Sequence, residues 1–530
     1  MLPVQTIKTF TSRERYAKRA LGLGPQSREG STPSMASAWE RLLPRLIELT
    51  DIGSAIRLMS WDQAVLLPSK GGPGRARAMA TLQGFWHEKL TSPEIGELIQ
   101  ELVADDSLDQ VQRASTRNLK RDYDKATKVP PELVKEIAET EGLAYQAWTE
   151  ARPANDFSKL QPHLEKMLDL KKQEADALEW ENERYDALLD LFEPDMSAAE
   201  VEALFKDLIA GLKPFAEEVL AKVPDKPSFL SATYDSGTQM EFSHWLVRQL
   251  GFDTDAGRLD VSPHPFTSAV GKGDIRQTTR TIPDELMASI YATAHETGHA
   301  LYEQGLPEEL LDLPVGTFPS LGIHESQSRL WENQVGRGRA FTTFMLPHLK
   351  ERFPTDLNDV TPDEFYQGVN DVRRTLIRVH ADEVTYNLHL ALRLELELAL
   401  FRDELEIKDL PDAWDDAMER HVGIRPPDAA NGVLQDMHWS IGALGYFPTY
   451  TIGTLYAAAF FAKAEEDLGG LQDDLAKGEC DRLLQWSRDN IHSKAYLYPA
   501  KELAQQVLGA ELSAEPFLRH LREKYSELYL

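Results

Sequence analysis

Residues 292–302 read Ala292-Thr293-Ala294-His295-Glu296-Thr297-Gly298-His299-Ala300-Leu301-Tyr302, an H-E-x-x-H pattern. At ~100° per residue, positions i and i+4 of a helix lie about 40° apart on one face. His295 and His299 can then offer imidazole nitrogens to one ion, and zinc takes such ligands at about 2.0–2.1 Å. Glu296 projects beside that ion, where it can take a proton from a water the metal has made acidic. The preceding run Asp284-Glu285-Leu286-Met287-Ala288-Ser289-Ile290-Tyr291 holds good helix formers with apolar residues at helical spacing. The bland alternative is a buried pair of histidines without metal. With 14 histidines in 530 residues, a chance H-E-x-x-H is expected only about a few per cent of the time.

A catalytic zinc site needs a third protein ligand and an open fourth position. The metzincin pattern requires Gly at 302 and His at 305, and the chain has Tyr302 and Gly305. Downstream lies Gly322-Ile323-His324-Glu325-Ser326-Gln327-Ser328-Arg329-Leu330-Trp331-Glu332. A second helix here can deliver Glu325, an arrangement that resembles gluzincin peptidases. Glu332 and Glu303 compete on sequence grounds and read as structural carboxylates. His324 reads as a neighbour of the ligands or a substrate contact.

Peptide hydrolysis generates an oxyanion that needs hydrogen-bond donors. An exopeptidase also needs a cation for the terminal carboxylate, which Arg binds best. Two late stretches supply such groups. In Ile377-Arg378-Val379-His380-Ala381-Asp382-Glu383, helical spacing would pair Arg378 with Asp382. Gln435-Asp436-Met437-His438-Trp439, with Tyr446 and Tyr450 after it, is a polar cluster in apolar sequence. Buried, it must be hydrogen-bonded.

The elements that position these residues are mostly helices. Amphipathic runs occupy 39–49 and 75–88, separated by the breaker Leu67-Pro68-Ser69-Lys70-Gly71-Gly72-Pro73. Pro130-Pro131 marks a helix start, and Ser197 with Glu200 forms a capping-box pattern. The strand region is Leu259 to Thr281, where β-branched residues and alternation around Ile275 predict a small sheet just before the H-E-x-x-H helix. Such a strand can pair with extended peptide.

With 530 residues, 42% of them hydrophobic, the chain can bury a large core. Its net charge of -29 argues against nucleic-acid partners. No apolar run is long enough to span a membrane. Cys480 is the only cysteine, which excludes an intrachain disulfide and fits a reducing compartment, so a cytoplasmic location is expected. Residues 1–34 are basic, then rich in Gly, Ser and Pro. They read as a flexible N-terminal extension, or as sequence upstream of a true start at Met35. Residues 35–530 read as one helical unit of two lobes around a cleft.

Six motifs in order carry a family resemblance: His264-Pro265-Phe266, Asp274-x-Arg276-x-Thr278, His295-Glu296-x-x-His299, His324-Glu325-Ser326, Ile377-Arg378-x-x-Ala381-Asp382 and Gly432-x-x-Gln435-Asp436-x-His438-Trp439. The chain resembles the family M32 metallocarboxypeptidases, the thermostable carboxypeptidase 1 (Taq/Pfu-type) group, over roughly 36–528. The resemblance implies a mostly α fold with a deep active-site cleft, similar to angiotensin-converting enzyme and neurolysin-type oligopeptidases. It implies homodimers, zinc (or cobalt in its place), and release of C-terminal residues with broad specificity but poor cleavage at proline. By motif position His295, His299 and Glu325 would bind metal and Glu296 would be the general base. Arg378 would take the substrate carboxylate, with Arg276 competing; His438 and Tyr450 would serve the oxyanion. His264, Tyr446 and Gln435 join the expected substrate-binding set. Arg373-Arg374-Thr375 and His380 depart from the family pattern beside Arg378. An endo-acting oligopeptidase of the same fold and an inactive peptide-binding protein are the alternatives.

Overall fold

The computed structural model describes residues 36–530; the extension expected over 1–34 and the start at Met35 lie outside them. The chain is mostly helical with one small sheet. Helix α1 (Ala38–Val65) opens with a capping box between Ser37 and Glu40. It stops before the Pro/Gly breaker, and a second helix runs Gly72–Leu90. Further helices start at Pro131 behind Pro130, and at Ala198 behind the Ser197–Glu200 capping box.

The expected sheet has three strands: β1 (Gly257–Val261), β2 (Thr267–Gly271) and β3 (Asp274–Thr279). Their order is β1-β3-β2. β3 pairs parallel with β1, placing Leu259 opposite Gln277, and antiparallel with β2, placing Thr267 opposite Gln277. Lys272 and Gly273 make the β2–β3 turn, and Gly273 has φ +66°, a conformation that suits a residue without Cβ.

The H-E-x-x-H motif lies on α2 (Leu286–Gly305). Glu325 lies on α3 (Leu321–Arg329), which passes directly into a π-helical segment, Leu330–Gly336. Behind it stands α5 (Pro448–Leu468), buried nearly all round as a core helix should be. Between them in sequence comes α4 (Tyr386–Phe401), and α6 (Glu515–Tyr529) packs late in the chain. Two glycines let α3 fit between its neighbours. A Cβ on Gly298 of α2 would lie 2.5 Å from the Gln327 carbonyl oxygen, and one on Gly453 of α5 would lie 2.5 Å from Glu325 Cγ. The helix carrying Glu325 is thus gripped on both sides, against its backbone at Gly298 and against the Glu325 side chain at Gly453.

The main apolar core reaches from Ala114 to Tyr525. A smaller, separate core joins Trp39, Leu42, Leu46, Ile95, Leu98 and Leu119 of the N-terminal helices. Among the described residues no helix is long and apolar enough to cross a membrane.

The helical reading of 377–387 needs correction. Arg378–His380 is a short 3-10 turn and α4 begins only at Tyr386. The Asp382 carboxylate wins the local competition by accepting from the Val384 and Thr385 N–H groups, the Thr385 hydroxyl and the Arg373 N–H. Arg378 therefore has a different partner.

Candidate active site

One turn of α2 presents His295 and His299 side by side, and α3 brings Glu325 to them. Their donor atoms all lie within 4.8 Å of one another. The two Nε2 atoms sit 3.5 and 3.4 Å from a single Glu325 oxygen. These separations exceed an ordinary hydrogen bond. They match the ~3.3–3.5 Å edge of a tetrahedron built on metal–ligand bonds near 2.1 Å. The His295 Nδ1 is 2.9 Å from Glu332, which fixes the ring and leaves Nε2 to face the cluster. The residues fit a divalent ion in both chemistry and spacing.

Electrostatics around the cluster are strongly coupled. Burial opposes charge on His295, but Glu325 and Glu332 reverse this and push it up to about 10. Burial and the adjacent His324 push His299 down to about 3. Burial alone would raise Glu325, yet His295 and Arg329 hold it well below the usual carboxylate range. A cation seated between these groups therefore displaces a proton. Arg329 donates to the second Glu325 oxygen at 2.8 Å and to Glu332 at 3.3 Å, and lies 4.6 Å over the Tyr386 ring. His324 stacks on His299 with centroids 4.5 Å apart and meets Glu303 at 2.9 Å. Glu332 and Glu303 thus support the histidines rather than replace Glu325.

Glu296 is buried beside the cluster, and burial raises it above its ordinary range. The Thr267 hydroxyl of β2 donates to its carboxylate at 2.7 Å. The sheet therefore orients the candidate base. Sequence reasoning missed Thr267. The only available signal was its place directly after His264-Pro265-Phe266.

Arg378 is buried and donates to Asp436 at 2.8 Å and to the Tyr386 hydroxyl at 3.1 Å. Fully buried Arg393 of α4, also missed, holds the other Asp436 oxygen, at 2.7 Å through Nε. Burial raises Asp436, but the two guanidiniums override this and hold it far below the usual range. One carboxylate between two guanidiniums leaves a surplus positive charge. Gln435, expected among substrate contacts, makes its hydrogen bonds inside the chain. It accepts from the Arg378 N–H and from Arg393, both at 2.9 Å, and donates to the Leu376 and Asn431 carbonyls. It therefore orients the two arginines.

His438 Nε2 is 3.3 Å from the Tyr450 hydroxyl, and Tyr446 stands edge-on to Tyr450 with centroids 5.3 Å apart. Burial and Arg378 push His438 down to about 4, so the imidazole is neutral at pH 7. Burial, with Glu325 nearby, pushes Tyr446 up to about 12 and raises Tyr450 as well, so both phenols keep their protons. Arg276 is compensated by a two-point pair with Asp274, both bonds at 2.8 Å, and lies 4.3 Å over Trp61 of α1. His264 is exposed. The loop after Arg378 is tied to α6: Glu383 accepts from His520 at 2.9 Å and from Lys524 at 2.8 Å, all but sealed from solvent. A cavity of about 650 Å³ lies elsewhere, among Arg121, Lys125, Asp190 and Glu200.

Comparison with known proteins places this arrangement. The family model described as carboxypeptidase Taq (M32) metallopeptidase matches residues 41–525. The chain is 44% identical to thermostable carboxypeptidase 1 of Thermus thermophilus, over 93% of this chain and 99% of that protein. It is 40% identical to the Pyrococcus furiosus thermostable carboxypeptidase 1, over 92% and 98% of the two chains. The solved M32 carboxypeptidase of Deinococcus radiodurans superimposes with a TM-score of 0.91 at 40% identity, covering 93% of this chain and 99% of that one. With the family model matched across nearly the whole chain, and relatives and a solved structure agreeing in sequence and fold, the protein belongs to the M32 family of metallocarboxypeptidases.

Proposed function

We propose that the protein is a zinc carboxypeptidase that releases amino acids one at a time from the C-terminus of peptides. The observation that carries this reading is the trio His295, His299 and Glu325, both imidazoles meeting one Glu325 oxygen, with Glu296 held beside it by Thr267. The N₂O donor set suits zinc and accepts cobalt. A bound ion supplies Lewis-acid polarisation of the scissile carbonyl and a more acidic water.

The protein's own groups do the rest. Glu296 takes the proton from the attacking water at its carboxylate and delivers it to the leaving amine nitrogen. Thr267 holds that carboxylate in one orientation. Tyr450 and Tyr446 donate phenolic hydrogens to the developing oxyanion, and the neutral His438, with Nε2 3.3 Å from the Tyr450 hydroxyl, orients Tyr450. Arg378 binds the substrate's terminal carboxylate. The surplus charge of the Arg378–Asp436–Arg393 cluster favours it over Arg276, whose guanidinium is already compensated. We assign broad specificity with poor cleavage at proline, a homodimer, and a cytoplasmic site of action, with 35–530 as the working unit.

The test is residue release from a free-acid peptide and its C-terminally amidated twin, with and without chelator. Stepwise release from the free acid alone, abolished by chelator and restored by zinc or cobalt, is the expected outcome. Equal internal cleavage of both peptides would make the enzyme an endo-acting oligopeptidase. No cleavage of either, with metal bound, would make it a peptide-binding protein.

A further inference from the structure

A helix begins with backbone N–H groups that need partners from outside. In α3 the later ones are met locally: the Ile323 N–H by the Ser320 hydroxyl and the His324 N–H by the Ser320 carbonyl, both at 3.1 Å. The first two are met by a segment 129 residues away. The Leu321 N–H donates to the Phe192 carbonyl at 3.0 Å, and the Gly322 N–H donates to the Glu193 carboxylate at 2.5 Å. Glu193 is only 1% exposed. Among the described residues no lysine or arginine pairs with it. A sealed carboxylate without a countercharge is costly. The Gly322 N–H at the positive end of α3 offsets part of that cost, and burial still raises Glu193 to about 7.

The same segment reaches the other half of the site. Thr449, in the first turn of α5, turns its hydroxyl toward Glu193, although Thr449 Oγ1 makes no aligned hydrogen bond. The Phe192 ring meets the Tyr446 ring edge-on, with centroids 5.1 Å apart. A Cβ on Gly322 would lie 2.9 Å from the Glu193 oxygens and 2.7 Å from Ile452 of α5, so nothing larger than glycine fits between them.

We propose that Glu193, with Phe192, is a positioning residue that sets the helix carrying Glu325 against the Tyr446–Tyr450 pair, so that metal ligand and oxyanion donors keep one separation. The proposal rests on the functional reading given for those groups. The geometry separates it from a purely stabilising role, because the segment touches both halves of the site, the first turn of α3 and the Tyr446 ring.

The experiment uses the full-length, metal-loaded enzyme. In Glu193→Ala, kcat falls about tenfold or more with KM little changed, because misplacement acts on the chemical step. The visible absorption of the cobalt form shifts as the Glu325 ligand moves. Glu193→Gln, which keeps an acceptor for the Gly322 N–H, recovers most of both. Should Glu193→Ala fail to fold, Gly322→Ala and Phe192→Leu carry the same test with the carboxylate intact. Folded variants with unchanged kcat and an unchanged cobalt spectrum would overturn the proposal, leaving Glu193 a stabilising group only. The wild-type enzyme in the chelator and amidated-peptide assay keeps that failure distinct from failure of the functional reading itself.

Discussion

Thr267 and Glu296 show what a single contact decides. Replacing Glu296 by Gln removes the proton acceptor, and turnover is expected to fall about 100- to 10,000-fold while the bound metal stays. Thr267→Val removes one charged hydrogen bond, worth ~1.5–3 kcal/mol, so a loss of about tenfold or more is expected with metal content again unchanged. Metal analysis beside the kinetics checks both. Glu397 makes a different residue-scale case. It accepts from Tyr185 and Trp439 at 2.6 Å and from the Gly445 N–H at 2.9 Å. Burial nevertheless pushes it up to about 7. A carboxyl raised in the fold above its unfolded value of about 4.3 binds more protons native than unfolded. Its contribution is therefore full below that value and lost as pH rises through about 7. Thermal midpoints measured from pH 5 to 8 are expected to fall more steeply in wild type than in Glu397→Gln; parallel curves would contradict this. The histidines and Glu296 were legible because helix geometry turns their spacing directly into proximity. Thr267 and Arg393 were not, since their roles depend on contacts 29 and 43 residues away. The Arg378–Asp382 pairing failed because it assumed a helix that Asp382 itself prevents.

At the scale of elements, the site depends on how closely α2, α3 and α5 approach. Gly298→Ala places a methyl against backbone, which cannot swing aside. It is expected to cost ~1–3 kcal/mol of stability by overpacking. Metal affinity should weaken with it, because Glu325 is pushed away from the histidines. Denaturant melts and competitive metal titration measure the two effects. The sheet was legible from its β-branched residues, and the Ser197 helix start from its capping box. The π-helical run 330–336 was not. It brings Glu332 to His295, yet its composition reads as ordinary helix, and only tertiary packing selects the wider turn.

At the scale of the molecule, two cores of unequal size imply unequal local stability. The helix Gly72–Leu90 buries only Leu90, and the helices before and after it share the smaller core. Segments with few buried contacts open first. Amide exchange is expected to be fastest in 72–90 and slowest in α2 and α5; uniform protection would refute the division. Apolar spacing revealed that the helix over 39–49 buries one face, whereas the amphipathic run 75–88 holds no buried residue. It did not reveal against what, so the second core was invisible in the sequence. The buried clamp of Glu383 on Lys524 adds a matter of timing. The loop that carries Arg378 is tied to a helix made 141 residues later. A growing chain emerges N-terminal end first. His295, His299 and Glu325 are therefore synthesised well before the loop that carries Arg378 can be anchored. The turn that carries Arg378 can therefore take up its anchored place only once translation has passed Lys524.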